Sequence, residues 1–81
     1  MKVTVQFFSY FKELAACERF EGDVKDGTTI GELLTVIYNK FPKLEPMRKS
    51  TLIAVGLEYQ DRAYVLKEGD EMSLFPPVQG G

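Results

Sequence analysis

Residues 29–42 constrain the fold more than any other stretch. Thr29 occupies the position of a helix N-cap, and Glu32, three residues on, completes a capping box. Ile30, Leu33, Leu34, Ile37 and Phe41 then recur at helical spacing, with Glu32, Asn39 and Lys40 on the polar side. Pro42 ends the helix at or before Phe41, because its ring clashes with the preceding turn and it has no N–H to donate. A single amphipathic helix cannot close a core by itself. It needs a sheet to cover, and the rest of the chain must supply that sheet.

The flanking segments have the right periods. Val3, Val5 and Phe7 alternate with Lys2, Thr4 and Gln6, which is a half-buried strand. Ser9 is expected to cap a short helix through Ala16, with Phe11, Leu14 and Ala15 on its apolar side. Residues 18–24 alternate weakly through Phe20 and read as a second strand beside the first, although Gly22 weakens the pattern. Lys25-Asp26-Gly27 is a turn signal. Beyond the main helix, residues 46–50 read as a connection and Leu52 to Leu57 as a buried strand. Gln60-Asp61 would turn into a strand over Arg62 to Leu66. Lys67-Glu68-Gly69-Asp70 is a further turn, and Glu71 to Phe75 is the closing strand. Met72 and Leu74 share one side of it; Ser73 and Phe75 share the other. Pro76 and Pro77 cannot donate ladder hydrogen bonds, so the sheet should end there. The expected class is α+β, a mixed sheet of four or five strands with the main helix across one face. Residues 1–76 form the domain and residues 77–81 a flexible tail.

The 81 residues allow one domain. Ten basic against twelve acidic residues give a net charge of −2 without a basic stripe, which removes the electrostatic basis for nucleic-acid binding. No apolar run approaches a membrane span, and Met1 to Val5 reads as a first strand rather than a leader. Cys17 is the single cysteine, so no disulfide forms within the chain and a cytoplasmic location is the default. It reads as a small hydrophobe at the end of the short helix. There is no histidine, no phosphate-binding glycine loop and no paired thiol. The usual general base, nucleotide fingerprints and thiolate metal sites are therefore missing. No metal or cofactor bound by the domain itself is expected.

Chemistry is left to the last residues, Phe75-Pro76-Pro77-Val78-Gln79-Gly80-Gly81. Pro76 and Pro77 favour an extended course away from the domain. Gly80 and Gly81, lacking side chains, suit a narrow channel that a partner's backbone or a nucleotide lines closely. Such a tail delivers a carboxylate into another protein's active site. A frayed terminus is the bland alternative.

Three segments together resemble the small sulfur-carrier subunits of molybdopterin synthase, within the ubiquitin-like β-grasp superfamily. They are Val5-Gln6-Phe7-Phe8-Ser9-Tyr10-Phe11-Lys12-Glu13-Leu14-Ala15, Gly27-Thr28-Thr29-Ile30-Gly31-Glu32-Leu33-Leu34, and Leu66 to Met72 leading into the Phe75–Gly81 ending. The ending is the most specific; related thiamin sulfur carriers also finish in Gly-Gly but generally lack the Pro-Pro-Val step. One departure is visible: Gly56 stands where the family commonly has Asn.

The resemblance implies a ubiquitin-like β-grasp and a role for Gly81. Its carboxylate would be adenylated by a ubiquitin-activating-type adenylyltransferase that uses ATP. A sulfur donor, such as a cysteine desulfurase or rhodanese-like protein, would then convert it to a thiocarboxylate. The molybdopterin synthase large subunit would use that sulfur on cyclic pyranopterin monophosphate, in a two-plus-two heterotetramer. Gly80 would let the tail fit, and Gln79, Val78, Pro77, Pro76 and Phe75 would direct it and touch partners. Phe7 is assigned to docking or to the core with equal weight. A thiamin-pathway carrier, a ubiquitin-like protein modifier and a passive binding module are the competing readings.

Overall fold

The structure is a computed structural model that describes residues 1–77. The strands are β1 (Lys2–Phe7), β2 (Arg19–Asp23), β3 (Leu52–Val55), β4 (Glu58–Tyr59) and β5 (Glu71–Phe75). The helices are α1 (Phe11–Ala15) and α2 (Ile30–Lys40), and a 3-10 helix (Pro42–Met47) follows α2. The five strands form one sheet in the order β2-β1-β5-β3-β4. β1 and β5 are the parallel central pair, and the β1–β2, β5–β3 and β3–β4 pairings are antiparallel.

Helix α2 starts where the sequence says it should. Thr29 and Glu32 close the capping box reciprocally, with Thr29 N–H donating to Glu32 Oε1 at 2.9 Å and Glu32 N–H donating to Thr29 Oγ1 at 3.2 Å. Ile30, Leu33, Leu34 and Ile37 are buried on its apolar stripe. They meet Val3, Val5 and Phe7 of β1, Ile53 of β3, and Met72 and Leu74 of β5 in one core, which Phe11, Ala15, Leu44 and Leu66 complete. Cys17 is half-buried against this core. The other face of the sheet is left open.

Four local expectations need correcting. Ser9 does not cap α1: Tyr10 is the N-cap, without a side-chain hydrogen bond, and Ser9 itself turns through φ 57°. The strand expected over Leu52 to Leu57 stops at Val55, because Gly56 and Leu57 form a two-residue hairpin loop into β4. Gly56 has φ 61°, and with Leu57 at negative φ the two-residue loop calls for glycine at its first position. Arg62 to Leu66 makes only one β-bridge, Thr29 with Val65. Its carbonyls serve the start of α2 instead: Tyr64 O accepts from Ile30 N–H and Arg62 O from Gly31 N–H, each at 3.0 Å. These are donors the first helical turn cannot satisfy itself. Residues 46–50 begin inside the 3-10 helix rather than in an irregular connection.

Asp70 pins the loop before β5. Its carboxylate accepts from Lys67 N–H at 2.8 Å and from the Tyr64 hydroxyl at 3.3 Å. Desolvation, then the Asp70 charge and this hydrogen bond, raise the Tyr64 hydroxyl pKa above its ordinary value.

Candidate functional site

β5 lies in the middle of the sheet, so its C-terminal end emerges from the domain's interior rather than from an edge. Phe75 is the last strand residue, and half-buried Pro76 and Pro77 follow it. On the open face, Phe75 stacks on Phe8 with ring centroids 4.7 Å apart and planes 16° from parallel. Tyr10, Leu52 and Tyr59 surround the exit, and with Ser9, Phe75 and the two prolines they line a depression of ≈ 430 Å³. A second groove, of ≈ 580 Å³, runs from Phe8 and Phe75 across Ser73 to Leu57 at the hairpin tip. Phe8 is 37% exposed and Tyr59 72%, so the sheet presents an apolar surface beside the chain's exit, while fully exposed Leu57 lies at the far end of the groove, by the start of β5.

Phe7 is not part of that surface. It is 2% exposed and packs edge-on against Phe41 at 5.3 Å. The alternation Val3, Val5, Phe7 already placed it inward, and the same parity places Phe8 outward. Phe8 is therefore the residue that sequence reasoning missed, and period two was the signal that could have found it. Tyr59 and Leu57 carried no comparable signal, because their exposure depends on the hairpin at Gly56. Val78, Gln79, Gly80 and Gly81 lie outside the described residues. Phe75 is brought onto Phe8, and Pro76 and Pro77 line the same depression as Phe75.

Among the described residues, no group of three or more His, Cys, Asp or Glu side chains could hold a metal ion. No helix among them is long and apolar enough to cross a membrane. The described domain thus offers an apolar face beside the segment Phe75-Pro76-Pro77.

A mixed five-stranded sheet that clasps one main helix, with a central parallel pair of first and last strands, is the ubiquitin-like β-grasp. The ThiS family profile matches residues 5–81, and the chain belongs to that family. A molybdopterin synthase sulfur carrier subunit from Chlamydomonas reinhardtii is 32% identical, with each chain covered over 100% of its length. Among solved structures, SAMP1 from Haloferax volcanii superposes with a TM-score of 0.88 at 26% identity, covering 100% of both chains. A chain of the complex of subunits 1 and 2 of molybdopterin-converting factor from Helicobacter pylori matches at TM-score 0.77 and 33% identity, also over 100% of both.

Proposed function

We propose that this chain is the sulfur-carrier subunit of a molybdopterin synthase and that Gly81 carries the sulfur. The observation that supports this best is the placement of the ending. The central strand β5 delivers Phe75-Pro76-Pro77 beside an exposed aromatic face, and the sequence continues to Gly80-Gly81. The similarity to named sulfur carrier subunits over the full chain points the same way.

The chemistry needs activation because a carboxylate is a poor electrophile. The Gly81 carboxylate attacks the α-phosphate of ATP on an adenylyltransferase and displaces pyrophosphate. A sulfur nucleophile then attacks the acyl carbon, and AMP leaves with the electron pair of the broken C–O bond. Where the nucleophile is a persulfide on a desulfurase or rhodanese-like donor, a thiol removes the donor sulfur as a disulfide and leaves the thiocarboxylate. The large subunit then transfers that sulfur to cyclic pyranopterin monophosphate, in two rounds for the two sulfurs of the product dithiolene.

Reach defines the docking surface. Four residues follow Pro77, and at about 3.3–3.6 Å each they extend about 14 Å at most. A partner whose active site receives Gly81 must therefore cover the surface around the exit. That surface is Phe8, Tyr10, Tyr59 and Phe75, with Pro76 and Pro77 as a stiff lead. Burial of such aromatic side chains is the usual source of interface affinity.

Reconstitution tests the reading. With the adenylyltransferase, ATP, a sulfur donor and the synthase large subunit, the full chain should support conversion of cyclic pyranopterin monophosphate to molybdopterin. A chain lacking Gly80 and Gly81 should not. Equal conversion by both chains would refute the proposal. Lysine-linked conjugates in place of sulfur transfer would favour a protein modifier.

A further inference from the structure

The sheet has two edges, and they differ. β4 has two residues and offers almost no pairing surface. β2 has five residues, Arg19-Phe20-Glu21-Gly22-Asp23, with no proline. Its backbone parity follows from the bonds at its ends. Met1 and Val24 donate to each other's carbonyls at 2.8 and 2.9 Å, and Phe7 N–H donates to Glu18 O at 2.9 Å. With the register Val3↔Gly22 and Val5↔Phe20, the N–H and C=O groups of Phe20 and Gly22 face β1. Those of Arg19, Glu21 and Asp23 therefore face outward.

We infer that β2 pairs antiparallel with β2 of a second copy of this chain, about a two-fold axis at Glu21. The sequence is complementary to itself in that register. Arg19 of each copy stands opposite Asp23 of the other, with both side chains exposed on the open face. Directly opposed unlike charges stabilise a strand pair. On the opposite face, Phe20 stands across from Gly22 of the second copy. Within one chain the Phe20 ring already lies over Gly22, 3.1 Å from where a Cβ would be, so the chain's own ring fills that space and the pairing rests on the Arg19–Asp23 charges and the outward backbone groups of Arg19, Glu21 and Asp23. The one adverse contact is Glu21 against Glu21, and it makes the association weak and reversible. Pairing joins two five-stranded sheets into one of ten strands. β5 is two strands away from the seam, and the two-fold axis points the two chain exits in opposite directions. Each exit stays open to a partner of its own, so this inference stands independently of the sulfur-carrier reading.

The test uses the full chain in solution. Sedimentation from micromolar to millimolar concentration should show a reversible monomer–dimer equilibrium. Amide exchange at Arg19, Glu21 and Asp23 should slow as the dimer fills. Arg19→Asp and Asp23→Arg should each weaken self-association by about tenfold or more, and the two single variants mixed together should form a one-to-one heterodimer. Glu21→Gln should strengthen the dimer. Three results would overturn the inference: a monomer throughout the range, a dimer indifferent to both charge reversals, or protection of these amides only when another protein is added. The wild-type exchange measurement decides the matter even if a variant folds poorly.

Discussion

Phe7 points into the core and Phe8 out of it, so one truncation at two neighbouring positions should have opposite consequences. Phe7→Ala removes a fully buried ring beside Phe41 and should lower stability by about 3–5 kcal/mol in urea unfolding. Phe8→Ala removes a half-exposed ring stacked on Phe75 and should cost about 1 kcal/mol. Its main effect should be on binding: affinity for the large subunit, measured by calorimetry, should fall about tenfold or more. A Phe7 variant that folds normally and loses binding would reverse the two assignments. Tyr38 makes a further point. Its hydroxyl is buried and has no hydrogen-bond partner among the described residues, so none of them offsets the desolvation of its oxygen. Tyr38→Phe should leave the urea midpoint unchanged or raise it, by up to about 1 kcal/mol.

At the scale of elements, α2 depends on its first turn. Thr29→Ala opens the capping box and should destabilise the domain by about 1 kcal/mol without changing partner affinity, because Thr29 lies away from the exit face. The hairpin at Gly56 depends on a backbone value. Gly56→Ala forces a Cβ into φ 61° and should cost about 1 kcal/mol or more in urea unfolding. These two elements also mark how far the sequence was legible. Helix α2, its cap, its stop at Pro42, the first strand and β5 were readable because each is fixed by short-range patterning. The segment 62–66 was not. Its β-branched and aromatic residues fit a strand, but its carbonyls are taken by the open N–H groups of Ile30 and Gly31, a demand set by tertiary contact. Leu57 misled for a similar reason: an apolar residue in an apolar run sits fully exposed because the loop turns just before it.

At the scale of the whole molecule, the described residues form one sheet wrapped on one main helix. The sheet buries one face under α2 and leaves the other as an apolar platform beside the exit of β5. Parity turns Phe8 and Phe75 onto the platform, and the residues gathered on it come from the end of β1 and from β3, β4 and β5, which only the strand order brings side by side. Gly80 and Gly81 lie outside the described residues, and the role proposed for them rests on the resemblance and on chemistry done in partners. The central claim is that Gly81 is the sulfur-bearing atom's address. The most direct measurement is high-resolution intact mass with fragmentation of the C-terminal peptide, after incubation with ATP, the activating enzyme and a sulfur donor. Exchange of one carboxylate oxygen for sulfur adds about 16 Da, and alkylation separates it from oxidation of nearly the same mass. The account predicts that this increment appears, maps to Gly81 and reacts with the alkylating reagent. A chain that keeps a free carboxylate under those conditions would contradict it.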